Sequence, residues 1–298
     1  MIILFGGADE KQVKSDTWIF KNEKWKQILK EGPPGRTFAN MIYDPFRNIV
    51  VLFGGNKVLF GDSASGNTAL NDTWLFNDNK WQQIKTKNSP PPRIEAAMSF
   101  NERNNTILLF GGYNFAGNGA RRIQRLNDTW EFNGNDWTLV SSTGPEARSG
   151  SAMAFDRNLN ACVLFGGNIR SSKNNPMWIR NKAQWNQIST KAEPIYNTSM
   201  VFLDHQKILI RYGGYDGKIR IDTTWYYSKT NDWQVLKTLI KPPARNHARM
   251  VYHNKNESAY LYGGHDGEYI FGDMWTLKDD KWIQVFSTAP VKRVENNH

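Results

Sequence analysis

The chain has 298 residues, of which 39% are hydrophobic and 22% charged, so it can bury a core and is not intrinsically disordered. Lysines and arginines number 38 against 28 aspartates and glutamates, a net charge of +10. The single cysteine, Cys162, excludes a disulfide scaffold and any multi-cysteine metal site. No apolar run reaches the roughly 18 residues of a membrane helix, and the initial MIILF is too short for a signal-peptide core, which leaves the compartment open.

Six Gly-Gly pairs recur along the chain, and each ends an apolar run such as VVLFGG or CVLFGG. Successive pairs are 47 to 57 residues apart, which indicates an internal repeat. Two tryptophans follow each pair and account for all 12 in the chain: Trp18/Trp25, Trp74/Trp81, Trp130/Trp137, Trp178/Trp185, Trp225/Trp233 and Trp275/Trp282. A lead-in residue stands 18 residues before each later pair: Arg36, Arg93, Arg148, Ile195 and Arg245.

Each unit is predicted to form four short antiparallel strands. The first runs from near the lead-in residue through a methionine and an aromatic residue, as in RTFANMIYD, and the second ends at Gly-Gly. The third carries Asp-Thr-Trp, as in NDTWLF, and the fourth carries the second tryptophan, as in WQQI, with polar turns between them. β-Branched and aromatic residues in rough alternation favour strands throughout.

This pattern of Gly-Gly, two tryptophans and a lead-in arginine in units of about 50 residues resembles the kelch repeat. The LFGG, NDTW and PPxR motifs are most similar to bacterial kelch proteins related to the central domain of galactose oxidase. The resemblance covers essentially the whole chain. It implies one all-β domain, residues 1–298, folded as a six-bladed β-propeller with four antiparallel strands per blade. The spacing independently requires six equal β units.

Closure of the ring is predicted from the two ends of the chain. The first unit starts within its second strand, because Gly6 lacks the upstream residues of the other units. Residues 290–293 repeat the Pro-x-x-Arg lead-in at the spacing of the other units. We therefore expect the C-terminal residues 294–298 to supply the inner strand of blade 1 beside Met1–Phe5.

Alternating strand directions place the loops after Gly-Gly and the lead-in segments on one face, here named the Arg face, and the other turns on the opposite hairpin face. The candidate ligand-binding residues of the Arg face are Arg36, Arg93, Arg148, Arg245, Tyr113, Asn114, Arg121, Arg122, Tyr215, Asp216, His265 and Asp266, with Arg293 as a further arginine. A ring of guanidinium groups can grip carboxylate or sulfate. The structural alternative is that each arginine hydrogen-bonds carbonyls of the neighbouring blade.

Loop length and charge narrow the choice of ligand. Blades 2 and 3 have the longest loops after Gly-Gly, 18 and 17 residues against 10 elsewhere. We therefore expect a ligand of the Arg face to contact this region, including Tyr113 and the segment Phe115–Arg125. The six loops after Gly-Gly together sum to a charge of −1 and form no aromatic and basic track, which argues against nucleic acid. Blade 4 departs from the repeat, with Ile195 for arginine, NPMW for NDTW and AEPI for the proline-rich turn.

Metal and cofactor chemistry find little support. The aspartates before Thr-Trp are expected to cap loops by accepting hydrogen bonds from backbone amides. The five histidines show no metal-ligand spacing, and Cys162 lies in an apolar strand. Both observations argue against the copper radical chemistry of kelch oxidases, and we expect neither a metal nor a cofactor.

Two functions remain open. The leading interpretation is a monomeric binding module that presents the Arg face to a protein, peptide or glycan, without membrane insertion. The alternative is a small-sugar enzyme of the mutarotase or epimerase type, since kelch propellers include a sialic acid mutarotase. An enzyme needs an acid/base pair at the channel mouth, for which the candidates are Asp216, Asp266, Glu268, His265 and Glu95. Their spacing does not decide between the two functions.

Overall fold

The computed structural model describes residues 1–9, 11–29, 31–59, 68–116, 122–169, 177–228 and 232–285. They form six small antiparallel sheets in a ring, which confirms the six-bladed propeller. Five sheets have four strands, and the described part of the first has three. Inner strands of neighbouring blades contact one another around a central channel. Among these residues, no helix has the length and apolar character to cross a membrane.

The strands of blades 1 to 3 run in chain order from the channel to the rim. Blade 1 consists of β1 (Ile2–Phe5), β2 (Thr17–Lys21) and β3 (Lys24–Leu29). Blade 2 consists of β4 (Asn40–Asp44), β5 (Ile49–Phe53), β6 (Thr73–Asn77) and β7 (Lys80–Ile84). Blade 3 consists of β8 (Ala97–Asn101), β9 (Thr106–Phe110), β12 (Thr129–Phe132) and β13 (Trp137–Ser141), and its Arg-face loop adds the hairpin of β10 (Tyr113–Ala116) and β11 (Arg122–Arg125).

Blades 4 to 6 repeat this order. Blade 4 consists of β15 (Ala152–Asp156), β16 (Ala161–Phe165), β18 (Met177–Asn181) and β19 (Gln184–Ile188), with β14 (Arg148–Ser149) paired to β17 (Asn168–Ile169). Blade 5 consists of β20 (Ser199–Leu203), β21 (Ile208–Tyr212), β22 (Thr224–Ser228) and β23 (Asp232–Leu236). Blade 6 consists of β24 (Arg249–His253), β25 (Ser258–Tyr262), β26 (Met274–Lys278) and β27 (Lys281–Val285), with one 3₁₀ turn at Asn254–Asn256.

The Gly-Gly pairs permit close contact between blades. Gly54 and Gly55 have φ values of 68° and 99°, in the left-handed region that side chains rarely adopt. A Cβ on Gly54 would lie 2.9 Å from the carbonyl oxygen of Arg93, and one on Gly55 would lie 2.6 Å from that of Thr37. The Gly55 N–H donates to the Arg93 carbonyl over 3.0 Å, so this approach joins blade 2 to blade 3.

The tryptophans are buried or half-buried, and the second one of each blade packs on the preceding blade. In four blades its indole N–H donates to a threonine hydroxyl at 2.8–3.0 Å: Trp81 to Thr17, Trp137 to Thr73, Trp185 to Thr129 and Trp282 to Thr224. Met177 and Met274 replace this threonine in blades 4 and 6. The indoles packed against them, Trp233 and Trp25, have no hydrogen-bond partner within the described residues.

The departures that the sequence analysis assigned to blade 4 belong to two blades. NPMW is in blade 4, whereas Ile195 and AEPI precede β20 and belong to blade 5. The assignment was wrong because a lead-in segment belongs to the blade whose inner strand follows it. The closing strand expected at 294–298 lies outside the described residues, so the closure of the ring beside β1 stays a prediction.

Candidate functional site

The four lead-in arginines are buried within their own blades. Arg36 is 1% exposed, and its Nη1 donates to the Gly54 carbonyl over 3.0 Å. The two terminal nitrogens of its guanidinium bind both carboxylate oxygens of Asp72, at 2.5 and 2.8 Å. The equivalent pairs are Arg93–Asp128 and Arg245–Asp273. The structural alternative was wrong about the blade: the carbonyl and the carboxylate acceptors both lie in the arginine's own blade, because all three motifs meet at the Arg-face end of one sheet.

The aspartates of blades 2, 3 and 6 also bind the first tryptophan of their own blade. Asp72 also accepts a hydrogen bond from the indole N–H of Trp74 over 2.6 Å. Burial raises the pKa of Asp72, but the hydrogen bond and charge of Arg36 outweigh it and hold that pKa below its usual value. The aspartate is therefore mainly the partner of arginine and tryptophan, rather than the cap of loop amides expected from the sequence.

Blades 4 and 5 lack parts of this network. Arg148 keeps its bond to the Gly166 carbonyl at 3.0 Å, but proline stands at the aspartate position. Burial lowers the pKa of Arg148 to about 10. Blade 5 has Ile195 and Thr223 at the two positions, so the arginine and the aspartate are lost together. The joint loss of the two residues is the signal in the sequence that the lead-in arginine and the aspartate contact each other. The sequence analysis considered the arginines alone and did not detect this signal.

The aspartates that follow Gly-Gly in blades 5 and 6 shape their own loops. Asp216 Oδ1 accepts hydrogen bonds from the N–H groups of Lys218 and Ile219, at 2.7 and 2.8 Å. Asp266 accepts from the two equivalent amides of blade 6, at 2.9 and 2.6 Å. The Ile219 amide is the main cause of a lowered pKa at Asp216. Both carboxylates thus belong to tight turns of the loop.

The candidates of blade 3 lie on the hairpin β10–β11. Tyr113 is buried at its base, Asn114 is half-buried, and Arg122 is exposed at the start of β11. The next residue, Ile123, is 46% exposed. Arg121 lies outside the described residues. The hairpin therefore presents a basic and an apolar side chain to solvent on the Arg face.

A set of residues surrounds the channel mouth, of which the sequence analysis named only Glu95. They stand two positions after each lead-in residue and are named here the mouth belt: Phe38, Glu95, Gly150, Asn197 and His247. All five have φ between 53° and 65°, and backbone N–H to carbonyl hydrogen bonds of 2.7–3.4 Å link successive members around the ring. Their side chains differ in type, so only their equivalent position in the repeat identifies them.

Side chains of the mouth belt meet across the channel. Glu95 of blade 3 reaches His247 of the opposite blade 6, with Oε1 and Nε2 3.2 Å apart. Nδ1 of His247 lies 3.2 Å from Nε2 of His265, and Phe38 packs edge-on against His247 at 5.4 Å. Since a carboxylate only accepts, Nε2 of His247 carries the hydrogen toward Glu95. Glu95 and His265, two sequence candidates for acid/base chemistry, are thus joined through a histidine that the sequence did not single out.

One cavity lies at the bridge formed by Glu95, His247 and His265, and a second lies behind it in the channel. The smaller, of about 20 Å³, is lined by Glu95, Ser151, Thr198, His247 and Arg249, and has room for one water-sized group. The larger, of about 240 Å³, follows the channel between the inner strands and is lined partly by the repeated methionines: Met41, Met98, Met153, Met200 and Met250. In the part of the chain that the structure describes, no three metal-ligating side chains are grouped to hold an ion.

Tyr215 lies beside this mouth in blade 5. Its ring is perpendicular to that of Tyr196 at 5.3 Å, and the guanidinium carbon of Arg220 lies 4.9 Å from its centre. Burial raises the pKa of Tyr196, and the nearby Tyr215 and Glu95 raise it further. The structure thus brings Tyr215, His265 and Glu95 into one polar and aromatic region of the Arg face.

Known proteins share this repeat. A family model described as the KLHDC2/KLHL20/DRC7 Kelch-repeats domain matches residues 58–264. Spermatocyte protein spe-26 of Caenorhabditis elegans is 23% identical over 273 residues, which cover 89% of this chain and 43% of that protein. Kelch domain-containing protein 10 of Homo sapiens is 25% identical over 295 residues, 87% of this chain and 62% of that protein. Dynein regulatory complex subunit 7 of Chlamydomonas reinhardtii is 28% identical over 149 residues, 47% of this chain and 12% of that protein. The chain spans about half the length of the first two relatives.

Proposed function

Because the chain belongs to the kelch-repeat family, we propose that it is a partner-binding propeller that holds a protein or peptide on its Arg face. One relative carries the name of a dynein regulatory complex subunit, a protein that works within an assembly. A rigid ring that carries exposed loops is a scaffold typical of macromolecular recognition. On this chain, the contacting groups would be the half-buried Glu95 and Asn197 of the mouth belt, Tyr215, and the exposed Arg122 on β11.

The observation that carries this proposal is the backbone conformation of the mouth belt. The left-handed conformation costs a residue other than glycine about 1–2 kcal/mol, and glycine occupies one belt position, Gly150. Phe38, Glu95 and His247 nevertheless stand in the same conformation at the channel mouth. Strained positions of this kind are commonly kept where the side chain serves a function. Because Phe38 and His247 are buried, a ligand would reach the belt through the half-buried side chains of Glu95 and Asn197.

Photo-crosslinking in the source organism tests the choice of face. p-Benzoylphenylalanine replaces Arg122 or Tyr269 on the Arg face, and Phe46, which is 65% exposed on the hairpin face, gives the matched aromatic control. We expect the same partner protein in adducts from the Arg-face positions and no such adduct from Phe46. Adducts formed only through Phe46 would overturn the proposal.

The bridge of Glu95, His247 and His265 favours one second candidate, a small-sugar enzyme of the mutarotase or epimerase type. A carboxylate that orients an imidazole at 3.2 Å is an arrangement suited to proton transfer. Saturation-transfer NMR on a panel of reducing sugars measures anomer exchange directly. Acceleration that disappears in Glu95→Gln supports an enzyme, and exchange at the uncatalysed rate for every sugar rejects it for that panel.

A further inference from the structure

Blade 4 keeps two donors of the network of arginine, aspartate and tryptophan and lacks its carboxylate. In blade 2 the Asp72 carboxylate accepts hydrogen bonds from both terminal nitrogens of Arg36 and from the indole N–H of Trp74. Blades 3 and 6 repeat this arrangement. Blade 4 has the same arginine and tryptophan, but proline stands at the aspartate position: Arg148, Trp178 and Pro176.

The guanidinium of Arg148 has the orientation of the other lead-in arginines. Its Nε donates to the Glu146 carbonyl and its Nη1 to the Gly166 carbonyl, both over 3.0 Å. The bonds of Arg36 to the two equivalent carbonyls measure 3.1 and 3.0 Å. Arg148 is 1% exposed, and neither of its hydrogen bonds within the described residues uses Nη2. The repeat therefore directs this nitrogen to the position that the Asp72 carboxylate has in blade 2.

The indole N–H of Trp178 lacks the same acceptor. Trp178 pairs with Leu164 across the sheet, as Trp74 pairs with Leu52, so the two indoles have equivalent places in their blades. Nε1 of Trp178 is buried and has no hydrogen-bond partner among the described residues. A buried N–H without an acceptor and a buried guanidinium without a carboxylate are both costly to the folded state. One carboxylate would satisfy both, as it does in blades 2, 3 and 6.

The charge around this part of blade 4 is positive. Arg125 on β11 donates to the Asn168 side chain over 2.9 Å, and β17, which carries Asn168, pairs with the strand of Arg148. Residues 166–176 add two basic residues and no acidic one. The acidic group that acts on Arg148 is the exposed Glu146, and its charge offsets only part of the lowering of the Arg148 pKa by burial. This imbalance favours an anion.

We propose that Arg148 and Trp178 form a binding site for a carboxylate in blade 4. One carboxylate oxygen accepts from Nη1 of Arg148, and the other accepts from Nη2 and from the indole N–H of Trp178, as the two oxygens of Asp72 do in blade 2. Where the carboxylate belongs to a protein partner, the inference rests on the proposed partner-binding function and names one group of that partner. A free small carboxylate has the same chemistry, and the experiment separates the two sources.

Two-dimensional NMR of the tryptophan indole N–H groups in the full chain tests the site, with sodium formate as the probe. Formate replaces chloride at a constant ionic strength of about 0.1 M, and single Trp→Phe variants identify the resonances. We expect a saturable shift of the Trp178 resonance and none of the Trp74 resonance, because Asp72 already occupies the equivalent position in blade 2. Pro176→Asp supplies a carboxylate from the chain itself, and Arg148→Met removes the guanidinium. Each should weaken formate binding at least about tenfold.

The source of the carboxylate is identified by repeating the crosslinking through Arg122 in the Pro176→Asp background. Fewer adducts support a carboxylate of the partner, whereas an unchanged yield together with the formate shift supports a free small carboxylate. The site is overturned if formate does not shift the Trp178 resonance, or if it binds Pro176→Asp as well as the wild type. Pro176→Asp decides this alone if Arg148→Met does not fold. A formate shift in a chain that gives no Arg-face adducts overturns the proposed function and leaves the site standing.

Discussion

Replacing Thr73 with valine removes one hydrogen bond between blades 2 and 3 and nearly preserves the shape of the side chain. In the native protein the indole N–H of Trp137 donates to the Thr73 hydroxyl over 2.9 Å, and both side chains are buried. In Thr73→Val this N–H faces an apolar methyl group. An unsatisfied buried donor costs about 1–3 kcal/mol, so we expect a loss of unfolding free energy in this range.

Urea titration followed by tryptophan fluorescence measures this loss, and the chain offers a matched control. Thr276→Val makes the same chemical change where the threonine hydroxyl is buried and has no partner in the described part of the chain. It should leave the unfolding free energy unchanged or raise it. If Thr73→Val costs less than about 0.5 kcal/mol, or if the control loses as much, the contribution assigned to the hydrogen bonds between blades is refuted.

Three further predictions concern buried charge and the seam of the ring. Arg211→Leu gives blade 5 the leucine of the other five blades and removes a guanidinium whose pKa burial lowers to about 9, so urea titration should show a gain of about 1–3 kcal/mol; any loss contradicts this. Asp72→Asn should weaken the dependence of the unfolding free energy on acid pH. The pKa of Asp72 in the folded protein lies below the unfolded value of about 3.9. The wild type therefore loses the contribution of the Arg36–Asp72 pair as the pH falls through that range. Equal slopes in melts from pH 6 to about pH 3 would refute it. Deletion of residues 290–298 should lower the melting temperature and promote association through the edge of β1; an unchanged melt and a monomer in gel filtration would reject the closure model.

The repeat made the blades predictable, because each strand position recurs in register and turn chemistry marks the boundaries. The hydrogen bonds between tryptophan and threonine could also be predicted from the sequence. The residue before the first tryptophan of the preceding blade decides them: threonine gives Trp137 an acceptor, and methionine leaves Trp233 without one in the described residues. The bridge from Glu95 to His247 was not predictable in this way. The two residues are 152 positions apart, and they meet only because a ring of six blades places the third opposite the sixth. Local patterns carry no information about a contact across the channel axis.

In the mouth belt, the backbone hydrogen bonds hold the ring of residues together, and the side chains differ from blade to blade. The hydrogen bonds that link neighbouring members, from Phe38 through Glu95 to His247, join backbone groups and all run in the same rotational sense. Replacement of a belt side chain therefore leaves these backbone hydrogen bonds intact, and Gly150 is a belt position without a side chain. Under the proposed function, substitution of one position per blade would give propellers with the same backbone different ligands without a change in the fold.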